Sequence, residues 1–352
     1  MSKMLEEIRQ QPEALERTLR GAVPAVQRLA RQFERIRPKL IVLAARGTSD
    51  NAAQFGRYLL EITTGIPVSM AAPSIFTLYD AFVDLREALV VAVSQSGEST
   101  DTIMVLERAK SQGAVNVGIT NEKSSTLARL ADQVLLVRAG KERSVAATKT
   151  YTGQVLMFYL LAHALGGRIR LEDLKRLPEW TERALRMEDQ VAEIVPRYRF
   201  MTDAAVVGRG LNFATALEFG LKLMETCYVV AERFSSADFL HGPIALVEES
   251  FPVFLFAPPG ATWPSMREIL LRLRQRKADV LVITDAGNRK AVAESPRSLS
   301  LPLKWPKNAW QQELYTPIPY IVPAQLFSAL LADEKGLDPD RPRTLTKVTK
   351  TL

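Results

Sequence analysis

Cysteine is nearly absent, with Cys227 the single thiol, and histidine occurs only at His163 and His241. One thiol cannot pair within its own chain, so a disulfide framework is excluded, and so is a cysteine-rich metal site. Two histidines leave no material for a His-rich centre, and no metal or redox cofactor is expected. A lone cysteine suits a reducing cytoplasm. The opening "MSKMLEEIRQQPEALERTL" is acidic and lacks the apolar core of a signal peptide. The longest apolar run, "VLMFYLLAHALGG", is too short to span a bilayer and predicts a buried helix, with His163 in the core. No membrane is expected as a partner. The net charge is +7, yet Lys and Arg are scattered, without aromatic–basic interleaving or zinc-finger spacing. That pattern excludes the usual nucleic-acid binders and leaves a small anionic ligand compatible with the charge.

What is present is ordinary globular material: 352 residues, 47% apolar and 24% charged, enough for about two domains with good cores. Short apolar runs alternate with amphipathic helical stretches. In the first half these runs are "KLIVLAARG", "PVSMAA", "ALVVAVSQ", "AVNVGITN" and "QVLLVRAG". In the second they are "DAAVVGRG", "CYVVAERFS", "FPVFLFAPPG", "ADVLVITDAG" and "SLSLPLK". Continuously apolar strands separated by helices predict parallel sheets covered on both faces. The fold class is therefore α/β, with two domains, each a parallel five-stranded sheet flanked by helices. "LAARGTSDNAAQFGRYLLE" aligns with "AVVGRGLNFATALEFGLKLME", and "MAAPSIF" with "RFSSADF", so the halves read as a duplication. Expected boundaries are a helical arm at 1–37, a first domain at 38–170, a helical linker at 171–197 despite Pro178, a second domain at 198–330 and a C-terminal tail at 331–352.

One stretch carries chemistry. "VVAVSQSGEST" joins a strand to a helix through Ser94, Gln95, Ser96, Gly97, Glu98, Ser99 and Thr100. Open parallel sheets take ligands at the carboxyl ends of their strands, and anions favour the N-terminus of the next helix. Hydroxyls and amides suit a phosphate already carried by a substrate; no Walker lysine is present, so this is not a nucleotide P-loop. Position and composition also fit a plain N-cap loop. A carboxylate beside phosphate is repulsive, so Glu98 is expected to point away, toward backbone donors or across a subunit contact. In the matching loop "FAPPGATWP" prolines replace the serines, which predicts one phosphate per chain.

"SQSGEST", with "ARGTSDNAA" upstream and "SVAATKTYTGQ" downstream, resembles the sugar isomerase (SIS) domain family. More narrowly, the chain is similar to the isomerase half of glutamine-dependent glucosamine-6-phosphate synthases. The likeness runs from "EIRQQPEAL" through "ALEFGLKLMETCYVVAERFSSADFLHGPIAL" to the tail "PRTLTKVTKTL", nearly the whole chain. The chain opens with Met-Ser-Lys, not with a nucleophilic cysteine, and Cys227 falls in the second domain, so no glutaminase is expected. That departure shifts the expectation toward stand-alone amino-sugar-phosphate deaminases of similar architecture.

On residues alone, Glu218, Lys222 and Glu225 make a helix-face ion-pair set, His241 a hydrogen-bonding loop residue, and Lys347 with Lys350 a solvated basic terminus. The resemblance implies more. Glu225 matches the base that carries a proton between C1 and C2 of the sugar, a task suited to a carboxylate whose pKa burial can raise. Lys222 matches a residue aiding that step, and Glu218 becomes structural. His241 matches the histidine that opens the sugar ring, reaching the site from the partner subunit of a homodimer. Lys347 matches the amine that forms an imine with the open-chain sugar, on a tail able to close as a lid. Thr48 and Ser49 match contacts to sugar hydroxyls or phosphate, Val145 and Thr346 contacts through their backbone. The expected substrate is a hexose 6-phosphate bearing an amino group, and the expected reaction is glucosamine 6-phosphate to fructose 6-phosphate plus ammonia. A fructosamine-type 6-phosphate deglycase, an ammonia-dependent synthase and a non-catalytic phosphosugar sensor remain as alternatives.

Overall fold

The computed structural model describes residues 2–306 and 312–347. The first sheet is built from β1 (Leu40–Ala44), β2 (Val68–Met70), β3 (Ala88–Val93), β4 (Val115–Thr120) and β5 (Gln133–Leu136), in the order β2-β1-β3-β4-β5. The second is built from β6 (Asp203–Gly208), β7 (Val230–Ser235), β8 (Pro252–Phe256), β9 (Asp279–Asp285) and β10 (Arg297–Leu301), in the order β10-β9-β8-β6-β7. Taken from its other edge, the second order repeats the first. All pairings are parallel, so the topology carries the duplication expected from the paired motifs.

Strand alternation divides each core into two layers. On one face of the second sheet, Ala205, Val207, Val253, Leu255, Val280 and Val282 pack with Phe239 and Met266. On the other, Phe254 meets the rings of Phe219, Tyr198 and Phe327 at centroid distances of 5.1, 5.4 and 5.1 Å. Full burial of each such ring contributes about 1.5–3 kcal/mol. In the first sheet, Val42, Ala44 and Val90 face Val105 and Ala109 of the helix Thr100–Ser111. The helices Thr48–Thr64 and Lys149–Ala164 pack together. Gly56 permits that approach, because a Cβ there would strike the Phe158 ring.

The chain forms two compact units that are discontinuous in sequence, unlike the consecutive segments expected. One unit, with the first sheet, holds Glu13–Glu142, Ala147–Arg176 and the tail from Leu345. The other, with the second sheet, holds the chain up to Pro12, Arg143–Ala146 and Leu177–Thr344. The expected arm is helical over Lys3–Arg9 and Gln11–Arg35, but its start does not stand free. Met4 and Ile8 are fully buried, and Gln11 Nε2 donates to Gln325 Oε1 at 2.9 Å. The expected linker is three short helices, Leu171–Leu174, Leu177–Leu185 and Glu188–Ile194. Pro178 falls in the first turn of the second of these, where its missing N–H costs nothing. Leu177, Trp180 and Ala184 are fully buried, so this segment is core and not a tether. The helix Pro317–Glu334 overruns the boundary placed at 330, because Leu331 and Ala332 are fully buried. No described helix is long and apolar enough to cross a membrane.

Candidate functional site

The chain order of the first sheet reverses between β1 and β3, which places a crevice outside their carboxyl ends. The loop after β1 carries Thr48 and Ser49, and the loop after β3 carries Ser94–Ser99. β1 and β3 pair through Ala44 and Ala92, so both loops emerge at the same edge. They are also tied directly: Arg46 Nε donates to Asp101 Oδ2 at 2.7 Å, with the Asp101 side chain 4% exposed. The residues of the hydroxyl loop are oriented by its own backbone. Gly97 N–H donates to Ser94 Oγ (3.1 Å) and Glu98 N–H to Ser96 Oγ (3.3 Å). Because those oxygens accept, their own protons are left to donate elsewhere. Gly97 has φ +66°, and a Cβ there would collide with Ser125. Ser99 is the N-cap of the helix Thr100–Ser111 but its side chain caps no N–H; Ser99 Oγ instead receives Thr102 Oγ1 at 3.2 Å. Gln95 is half-buried, and Ser49 is buried, its hydroxyl oxygen receiving Gln154 Nε2 at 2.9 Å.

Glu98 does point away. Its carboxylate accepts from Thr126 N–H at 2.8 Å, at the start of the helix Thr126–Leu130, and the Thr126 bonds hold its pKa below the usual carboxylate range.

The second unit holds the candidate acid–base set. On the helix Leu211–Cys227, Lys222 is completely buried, 3.4 Å from Glu218 and 2.5 Å from Glu225. Burial opposes the ammonium, but the two carboxylates outweigh it and hold Lys222 well above the usual lysine range. Lys222 is thus a fixed cation and not a nucleophile. Glu218 is fully buried, whereas the Glu225 side chain is 22% exposed; the first anchors the lysine and the second is reachable. Cys227, at the end of the same helix, is buried, donates to Ser328 O (3.2 Å) and has its thiol pushed up to about 12, which makes it inert.

His241 ends the helix Ser236–Leu240 and is exposed. Phe239 of that helix joins the Val253 and Leu255 layer, whereas Phe219 of the Glu225 helix packs on Phe254. The two helices therefore cover opposite faces of one sheet. Val145 is half-buried on the short segment Arg143–Ala146, where Arg143 N–H and Ser144 N–H donate to the buried carboxylate of Glu7. Thr346 is exposed. Lys347 Nζ donates to Glu142 Oε2 at 3.0 Å. Lys350 and the end of the tail lie outside the described residues. The candidates accordingly divide between units: Thr48, Ser49, Ser94, Gln95, Ser96, Ser99, Thr346 and Lys347 in the first, Val145, Lys222, Glu225 and His241 in the second.

Sequence reasoning missed Arg46, Asp101 and Glu142. The Arg-Gly pair shared by both halves was the available signal for Arg46. Glu142, inside an unpatterned loop, gave none.

Two copies of a doubly wound sheet, one with a hydroxyl-lined loop at its switch point, define a tandem α/β protein. The SIS domain model matches residues 36–164 and 203–328, and the chain belongs to that family. It is 36% identical to an isomerizing glutamine–fructose-6-phosphate aminotransferase of Pyrococcus horikoshii over 98% of this chain and 57% of that protein. The chain thus spans little more than half the length of this curated relative. Its structure is similar to the C-terminal domain of glucosamine-fructose-6-phosphate aminotransferase from Francisella tularensis, with TM-score 0.86, 28% identity and coverage of 97% and 98% of the two chains. A glucosamine-6-phosphate deaminase from Thermotoga maritima shares the fold at TM-score 0.79 and 22% identity, covering 99% of this chain and 100% of that one.

Proposed function

We propose that the chain isomerises and deaminates a 6-phosphorylated amino hexose: glucosamine 6-phosphate and water give fructose 6-phosphate and ammonia. The observation that carries this is Glu225, a reachable carboxylate held by a fully buried ammonium. A surface ion pair needs no sealed lysine, whereas a base that must return to one position does. The phosphate is held by Ser94, Ser96, Ser99 and Gln95 with Thr48 and Ser49 beside it, and the backbone of Val145 and Thr346 completes the binding set. His241, from the partner subunit of a homodimer, moves the proton from O1 to O5 that opens the ring; its position on the opposite sheet face from Glu225 supports this origin. Glu225 then removes the C2 proton and returns it to C1, with Lys222 fixing its orientation. The product is an iminium at C2. Lys347 displaces ammonia from that carbon, and water releases the ketose and regenerates the amine. These steps call on no metal or redox cofactor, and the single buried thiol suits a cytoplasmic protein.

The names of the similar aminotransferases favour a second reading, the same steps run from fructose 6-phosphate and ammonia toward the amino sugar. One experiment separates them. The purified protein is incubated with glucosamine 6-phosphate, with fructose 6-phosphate plus ammonium, and with fructosamine 6-phosphates, while ammonia and ketose phosphate are followed together. Stoichiometric release of both from the first supports the proposal. Turnover of fructosamine 6-phosphates alone points to a deglycase, and binding without turnover to a sensor; either overturns it.

A further inference from the structure

Glu142 is the most completely enclosed carboxylate of the first unit that the steps above do not use. Its side chain has no exposed surface. Oε1 accepts from Thr148 N–H (2.9 Å) and Thr150 N–H (3.2 Å), and Oε2 from Thr150 Oγ1 (2.6 Å). These donors open the helix Lys149–Ala164, whose positive end also faces the anion. Oε2 then receives Lys347 Nζ at 3.0 Å, from a side chain still 27% exposed. Three donors fixed by the fold meet one brought by the tail.

We propose that Glu142 is the positioning residue for Lys347: it docks the ammonium before turnover and serves as counter-ion to the iminium that the same nitrogen becomes. This rests on the assignment of Lys347 made above. The charge balance explains why one carboxylate serves both states. A lysine ammonium and the C2 iminium of the sugar give a lysine iminium and an ammonium ion: the C2–N bond to ammonia breaks, the C2–Nζ bond forms, and two of the Nζ hydrogens leave with ammonia. Nζ attacks as the neutral amine once it has given up a proton, which ends on the departing ammonia, and it carries one positive charge both before and after the exchange. A carboxylate that suits the ammonium therefore suits the iminium, and a neutral residue suits neither. Burial alone would raise the Glu142 pKa, but the Lys347 charge and the threonine donors outweigh it and hold the group below the usual range.

The test uses Glu142→Gln, whose amide oxygen still accepts from the helix N–H groups, and Glu142→Asp, which keeps the charge. Without sugar, acetylation of Lys347 by acetic anhydride, read by mass spectrometry, should be about 10–100-fold faster in the Gln variant than in wild type, the loss of one charge-assisted bond. With fructose 6-phosphate, borohydride trapping of the Lys347 adduct at saturating sugar should fall by a similar factor with KM unchanged, and the Asp variant should recover part of it. Equal trapping in wild type and the Gln variant overturns the proposal, whatever the acetylation shows. Should the Gln variant fail to fold, Glu142→Ala takes its place, and wild-type trapping in that variant overturns the proposal as well. Wild-type protein that neither traps an adduct nor releases ammonia removes the assignment of Lys347 itself, and acetylation still judges the docking.

Discussion

The two switch points of the duplicated sheet have taken opposite courses. After β1 and after β6 the backbone is the same: Gly47 has φ 57°, ψ −131°, and Gly210 has φ 58°, ψ −130°. The loops after β3 and β8 differ. In the first unit, residues 94–99 present hydroxyls and no carboxylate, since Glu98 is turned onto the Thr126 helix. In the second, Pro258 and Pro259 replace the serines, and a carboxylate of the unit itself takes the donors at the helix start. Glu313 Oε2 accepts from Thr262 N–H (3.2 Å) and from Thr262 Oγ1. Burial pushes the Glu313 carboxyl up and those bonds oppose the shift. The same strand-to-helix geometry thus carries a carboxylate turned onto another helix in one half and a carboxylate on the helix-start donors in the other. Duplication preserved the scaffold while the two loops diverged, and the proposed chemistry divides the work between the copies.

The strongest way to break this division is Glu225→Gln. Loss of a general base should cut ammonia release by about 10²–10⁴-fold, while binding of a sugar phosphate, assigned to the other unit, should be retained in calorimetry. Loss of binding together with turnover would show that the units do not divide the work. Next comes the cradle: Ser96→Ala or Ser99→Ala should weaken binding of a 6-phosphate by about 10–100-fold, the worth of a hydrogen bond to a charged group. Thr262→Ala, at the matching position, should leave that affinity unchanged; equal effects at both loops would erase the contrast. Glu313→Ala sharpens it from the other side. Stripping the internal anion from the Thr262 donors should lower stability by about 1–3 kcal/mol, measured in urea. A second phosphate bound per chain by that variant would show that Glu313 is what closes the site.

The smallest effect is a pH dependence. Glu142 has a native pKa below its ordinary value of 4.5. Its stabilisation is complete above 4.5 and is lost as pH falls through the lower native value. Stability curves of wild type and Glu142→Gln should therefore be parallel at neutral pH and converge in acid. Curves that stay parallel to the lowest measurable pH would show that the Lys347–Glu142 pair contributes nothing.

The legible part of the molecule was the part written in local pattern. Nine of the ten strands lie within runs read as apolar, and the tenth starts one residue before its run, at Arg297; the hydroxyl loop stood out because four Ser/Thr side chains and a glycine follow a buried strand. Glu218, Lys222 and Glu225 were legible as a set because a helix places them on one face by spacing alone. The arm and linker were legible as helices but not in their placement, because helical charge patterning shows that a segment is amphipathic, not which surface will bury its apolar stripe. Met4, Ile8 and Trp180 are core residues by virtue of contacts with distant sequence.

Sequence by itself determined the α/β class, the duplication, the strand and helix order and the identity of the hydroxyl loop, since each follows from periodicity or from residue type beside its chain neighbours. Only the tertiary structure decided that Lys222 is sealed between carboxylates, that His241 and Glu225 stand on opposite faces, that Glu313 fills the second switch point and that Lys347 is received by Glu142. Those are matters of burial and charge between residues far apart in the chain, and no local pattern encodes them.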